Sequence, residues 1–253
     1  MGVWSSYQAR LDAKGSTKRE VRLNREVKYL ERKLGSTLSY HVVSINDKRQ
    51  ELAIINSDNL NLKTICSMPG EEIMCGSLVW WSDNYWLVTE VDANDEVYTK
   101  AIMQQCNHKL KWIASDRSIV ERWCIVNDGT KYLTGETVGT YGEVALTTGD
   151  TRISVSLPRD EYTVKLNRDH RFLIDDPDTE TILAYRLTKP YKIGGVYNGH
   201  GVMTFVLTEV NTEDDDNFEL RIADYYKHFP RNDSDSNNQS SVDVDASGKK
   251  VWL

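Results

Sequence analysis

A chain of 253 residues, 40% hydrophobic, 27% charged and carrying a net charge of −7, can bury the core of one large domain or two small ones. The negative balance argues against general nucleic-acid binding, and no apolar run reaches the ~18 residues of a membrane-spanning helix. The opening MGVWSSYQAR lacks a charged-then-apolar leader, so the expectation is a protein made in a cytoplasm, with no membrane partner.

Charge is unevenly spread. Residues 1–34 hold nine Lys/Arg against four acids, and residues 213–253 hold ten acids against five bases. Ends of opposite sign suit docking between subunits or onto a charged partner. Within TKREVRLNREVKYLERKLG, Val21, Val27, Leu30 and Leu34 recur at helical spacing and Gly35 is a natural stop, which predicts a helix over 17–34. Arg22, Arg25, Lys28, Arg32 and Lys33 crowd the remaining surface. The apolar stripe is thin, so the helix is expected to pack on something large.

From Ser39 the character changes to short runs, YHVVSI, ELAIIN, KTICSM, SLVWW, YWLVTEV, VYTKAIM and KLKWI, punctuated by Asn, Asp, Gly and Pro. That is the pattern of an antiparallel β-module. SLVWW and YWLVTEV read as a hairpin around a three-residue loop, Ser82-Asp83-Asn84, which places Trp80 and Trp86 on one face and Trp81 with Tyr85 on the other. A second β-block follows, from RWCIVN and KYLTGE through TRISVSL, YTVKL, RFLID, ILAYRL and GVMTFVLTEV. The segment FPRNDSDSNNQSSVDVDASG is poor in apolar residues and is expected to be a disordered tail.

An internal repeat connects the two blocks. GSLVWWSDNYWLVTEVDANDE, from Gly76, aligns without a gap on GVYNGHGVMTFVLTEVNTEDD, from Gly195, and the order of strands, turns and a proline upstream is similar. The fold class expected is mainly β: two small antiparallel β-barrel modules from an internal duplication, a basic N-terminal α-helix, and a disordered acidic and polar C-terminal tail. The boundaries are 1–38 for the helical arm, 39–115 for the first barrel and 116–228 for the second module, with its barrel-like repeat within 151–228. Residues 229–253 form the tail. Trp86 meets Phe205 in the alignment, so it reads as a core filler. Trp80 and Trp81 meet Gly199 and His200 and are free to serve an interface.

Chemistry is harder to find. The chain has no GxSxG, HExxH, GxxxxGK[ST] or GxGxxG. Cys66, Cys75, Cys106 and Cys124 show neither metal-ligand nor redox spacing and read as reduced, half-buried thiols. Asp175-Asp176 with Asp178, and Glu213 to Asp216, supply paired carboxylates of the kind a hydrolase uses, though acidic turns between strands also look like this. DVDASG starts like a calcium loop but lacks its closing glutamate. The five histidines are scattered. No catalytic residue, cofactor or metal is expected; the candidate subunit or partner interface is Arg22, Arg25, Lys28, Arg32, Trp80 and Trp81.

The stretches WSSYQARLDAKGSTKRE, LNREVKYLERKL, INSDNLN, WWSDNYWLVTEVDANDEVYTKA, WCIVNDGTKYLTGE and LTKPYKIGGVYN, spread over nearly the whole chain, resemble a family of structural proteins of tailed bacteriophages and prophages of Gram-positive bacteria. The glycine, apolar strand, turn and Trp-x-Val-Thr-Glu pattern resembles head-closure or stopper proteins of phage necks, which are usually shorter. This resemblance implies a non-enzymatic virion protein of the head–tail connector, set between the portal or adaptor and the tail-terminator side. It also implies a homo-oligomeric ring of roughly six or twelve copies, with non-specific contact to genomic DNA in the channel. The virion neck is then its location. A capsid-surface, collar or tail-associated protein, and a carboxylate-dependent hydrolase using Asp175 or Glu213, are the alternatives.

Overall fold

The structure, a computed structural model, describes residues 3–12, 15–92, 96–128, 152–175, 182–192 and 195–230. Two helices lead: α1 (Val3–Asp12) and α2 (Lys18–Leu34), the second one residue inside the predicted span. None of α2's side chains is buried, so the basic sequence forms a helix outside both cores.

The first β-module consists of β1 (Tyr40–Ile45), β2 (Lys48–Asn56), β3 (Leu62–Ser67), β4 (Leu78–Trp81), β5 (Asn84–Asp92) and β6 (Lys100–Gln105). They close into a barrel in the order β1-β2-β3-β6-β5-β4, β1 meeting β4 through Ser44↔Trp80 and Ile45↔Val79. Asn46 reinforces this seam: its Oδ1 accepts from Leu78 N at 2.9 Å and its Nδ2 donates to Ser77 Oγ at 3.1 Å. Inward residues of successive strands, among them Val43, Leu52, Ile65, Val79, Trp86 and Met103, fill the interior. A bulge between Val88 and Glu90 bends β5 along β6, as closure of so small a cylinder requires.

The second module contains β7 (His108–Ile113), β8 (Ile119–Asp128), β9 (Arg152–Pro158), β10 (Arg171–Asp175), β11 (Ile182–Tyr191), β12 (Val196–Tyr197) and β13 (His200–Val210). Its path is β7-β8-β9-β13-β11-β10, with β12 folded onto β13, and β10 lies beside β7 to give a barrel-like shape. Its core includes Leu110, Trp112, Leu157, Phe172, Leu187 and Phe205.

Numbered from its own first strand, with the short β12 set aside, the second path is again 1-2-3-6-5-4. The two modules therefore share one winding, and the chain has the mainly β, two-barrel architecture expected from its sequence. The residue correspondence is different. By topology β4–β5 matches β10–β11, whereas the repeat aligned it with β12–β13, and β13 occupies the place of β6. The shared Thr-Glu-Val therefore falls on non-equivalent strands. Trp86 and Phe205 are nonetheless both core fillers, at 4% and 1% exposure.

Other boundaries also shift. β7 pairs with β8 from His108↔Cys124 to Ile113↔Ile119, so the sheets divide at Cys106–Asn107, whereas the sequence suggested residue 115. YTVKL, read as a strand, forms a 3-10 turn over Thr163–Lys165. The Asp160 carboxylate accepts from the backbone of Tyr162 at 2.9 Å and Thr163 at 2.7 Å, a local alternative to strand pairing. KYLTGE, Asp176, Asp178, DVDASG and all of the proposed tail after Pro230 lie outside the described residues.

The segment after β13 folds back over the second module and ends in the short α3 (Tyr225–His228). There Ala223 packs on Leu173 and Ala184. Between the barrels, Leu87, Cys106 and Ile125 form a small apolar seam, flanked by Leu78, Tyr85, Trp123 and Val202.

Candidate interaction site

The N-terminus of α2 is built by a capping box. Thr17 Oγ1 accepts from Glu20 N at 3.2 Å, and Glu20 reaches back to accept from Ser16 N at 2.6 Å, Ser16 Oγ at 2.7 Å and Thr17 N at 3.3 Å. The Ser16 hydroxyl and amide, then Thr17, hold the Glu20 carboxyl below its ordinary range. Arg32 and Lys33 in the last turn suit the negative end of the helix. These local devices let α2 form without a buried face.

On this helix Leu23, Val27, Leu30 and Leu34 are half-buried and follow one stripe, while Val21 stays exposed, outside the stripe assigned to it from sequence. Arg25, Lys28 and Arg32 project from the opposite side at helical spacing, and Arg22 from the flank. All four cations are exposed, and none has a partner among the described residues. Arg19 instead forms an ion pair with Glu96 in the turn after β5, which ties the base of the helix to the first barrel.

The hairpin tryptophans are arranged differently from expectation. The loop is two residues, Ser82 and Asp83, with φ of 52° and 59°, and Trp81 pairs with Asn84 and Trp80 with Tyr85. Two successive left-handed residues make the tight turn whose twist matches a β-hairpin. Moving from a three- to a two-residue loop shifts the register and swaps the faces. Trp80 consequently lies beside Tyr85 on the outer face, ring centroids 4.6 Å apart, and is 40% exposed. Trp81 sits with Trp86 on the inner side at 5.6 Å, packs on the core and meets His41 at 5.4 Å. Trp86 donates its indole N–H to Trp81 O at 3.3 Å, and so fills the barrel with its polar atom satisfied. The six candidate residues thus divide into a basic helical face, one outward indole and one inward indole.

Two carboxylates of the acidic run, Asp216 and Glu213, are engaged in ion pairs. Asp216 is buried and receives a two-pronged contact from Arg171, at 3.0 Å and 2.9 Å, and also accepts from the backbone of Glu213 and Asp224 at 2.8 Å and 2.9 Å. Arg171 further donates to Asp224 at 2.9 Å and Asn211 O at 3.0 Å. Glu213 is half exposed and pairs with Lys227 at 3.0 Å. Burial opposes the Arg171 charge, but the hydrogen bonds that it donates to Asp216 and Asp224 outweigh it and hold the guanidinium above its ordinary range. This network fastens residues 211–229 to β10. The acidic run was visible in sequence; the partner 45 residues upstream was not. Asp175 ends β10 and its side chain lies outside the described residues.

All four cysteines are buried thiols, and no disulfide joins any of them among the described residues. Among the described residues no group of three or more His, Cys, Asp or Glu is placed to hold a metal, and no helix is long and apolar enough to cross a membrane.

Residues 19–105 match the family model described as the YomX N-terminal domain, a name of Bacillus phage or prophage type. The match begins in α2 and ends on the last residue of β6, where the first barrel ends. No curated protein and no solved structure matches the chain. Helix α2 and the first barrel together are thus similar to a YomX-type, phage-associated domain.

Proposed function

We propose that the protein is a non-enzymatic structural component of a phage virion, acting at the head–tail connector as a head-closure or stopper-type ring. The observation that carries this reading is α2: a capped helix with no buried side chain, one apolar stripe and one cationic face, attached to two packed barrels. A subunit that meets its neighbours through such an arm has a reason to leave Leu23, Val27, Leu30 and Leu34 only half-buried. The opposite face, Arg25, Lys28 and Arg32 with Arg22 at its flank, would meet an acidic protein surface or the phosphates of DNA passing through the channel. A ring needs a heterologous interface that closes on itself, and an arm reaching to an adjacent barrel provides one. The phage-associated character of residues 19–105 supports the same class of role.

Imaging of purified protein and of intact virions by cryo-electron microscopy tests this. A cyclic ring between capsid and tail is the expected result; density spread over the capsid or along the tail tube would reject the placement. Copy number gives a second reading, since a neck ring contributes roughly a dozen subunits per particle and a surface decoration many more.

A further inference from the structure

Beside the seam between the barrels opens a cleft of about 550 Å³, within the ordinary range of small-ligand sites. Its floor is a shelf of three rings drawn from both modules. Trp80 and Tyr85 lie 4.6 Å apart and tilted by 55°, and Tyr85 stacks on Trp123 of β8 at 4.9 Å and 21°. Tyr85 and Trp123 also flank the apolar seam, which accounts for their position; Trp80 lies outside that cluster.

The polar edges of this shelf carry the argument. The indole N–H groups of Trp80 and Trp123 and the phenol of Tyr85 have no hydrogen-bond partner among the described residues, nor does the Asp47 carboxylate at the cleft wall. The other charges are committed: Glu121 to Lys109 and Lys111, and Arg122 to Asp160. The cleft is therefore lined by aromatic rings that carry free donors and by one free anionic acceptor.

We infer that the cleft binds a neutral glycan, with a pyranose face laid on Trp80 and Tyr85 and hydroxyls bonded to Asp47 and the ring donors. Sugar hydroxyls both donate and accept, so they satisfy the carboxylate and the indoles together. A proline-rich peptide would also fit an aromatic shelf, but its prolines have no N–H to offer Asp47. Single-stranded nucleic acid would stack too, yet it needs uncommitted cations along its phosphates, and the cleft's uncommitted charge is the Asp47 carboxylate. This inference does not depend on the neck assignment.

The test uses the full chain with immobilised neutral and acidic glycans, followed by tryptophan-fluorescence titration with chitotetraose, cellotetraose and maltotetraose. At least one neutral glycan should bind, Trp80→Ala should weaken it by about tenfold or more, and Trp80→Phe should keep part of the affinity. Asp47→Asn, at an exposed turn with φ of 65° that asparagine tolerates, should weaken binding while leaving the melting temperature in place. The inference is overturned if no neutral glycan binds, if only acidic glycans, a decaproline peptide or oligo-dT bind, or if Trp80→Ala and Asp47→Asn both bind as wild type does.

Discussion

Gly76 and Gly201 meet backbone to backbone where the two barrels touch: a Cβ on Gly76 would lie 2.0 Å from the Gly201 carbonyl oxygen. Gly76 also has φ of +83°. Gly76→Ala therefore incurs left-handed strain of ~1–2 kcal/mol and, in addition, forces the barrels apart. Gly70 is the control, with φ of +86° and nothing within 4 Å of the added carbon. Urea denaturation should find Gly76→Ala the more costly of the two, and a second transition should emerge as the barrels uncouple. Equal costs would mean that the contact is soft.

Removing Arg171 should be the costliest change in the second module. Arg171→Met strands the buried Asp216 carboxylate, and breaking such a pair typically costs about 3–5 kcal/mol. Hydrogen exchange should rise in residues 211–229 before it rises in β13. Lys227→Met, whose contacts are half exposed, should cost less than about 1 kcal/mol.

The thiols should be silent in the native state. Burial pushes Cys106 up to about 12 and raises Cys124 further, so neither offers thiolate near neutral pH. A thiol-reactive disulfide reagent should label them only after guanidinium unfolding, and rapid native labelling would contradict the packing.

Acid should weaken the fold through His170. Burial lowers its affinity for a proton, with Asp224 opposing and His228 adding, and its ring packs on Phe172 at 5.0 Å. Because the folded value lies below the unfolded one, near 6.5, the unfolded chain takes up the proton first. Stability present at higher pH is then lost as pH falls through that range. Melting temperature against pH should show this slope in the wild type and a flatter one in His170→Gln.

Leu30→Glu on α2 separates assembly from folding. The side chain touches neither barrel core, so barrel stability should move by no more than about 0.5 kcal/mol. If the stripe joins subunits, the same variant should stay monomeric in light scattering. Unchanged ring formation would remove the helix from the interface.

Much of this architecture is legible in the residues. Helix α2 is marked by its 3.6-residue period and Gly35, and the strands of the first barrel by short apolar runs between turn residues. The hairpin faces were misread because Ser82 and Asp83 alone make the turn, and one residue of loop length inverts every side chain beyond it. The repeat had the right consequence through the wrong alignment: strand order is kept across the modules, but hairpins of similar composition recur at different places in it. Trp80 stands at the surface beside Tyr85, yet Trp123, which stacks on Tyr85, comes from the other module, and the partner of Asp216 comes from a distant strand. Pairings over such separations have no local period to announce them.

The continuous ladder of the first barrel has a bearing on any larger assembly. With β1 hydrogen-bonded to β4 through Ser44 and Ile45, every strand of that cylinder has two neighbours, so an incoming strand finds no full-length free edge to zip onto. Whatever docks there is gripped chiefly by side chains, and its recognition is written mostly in them.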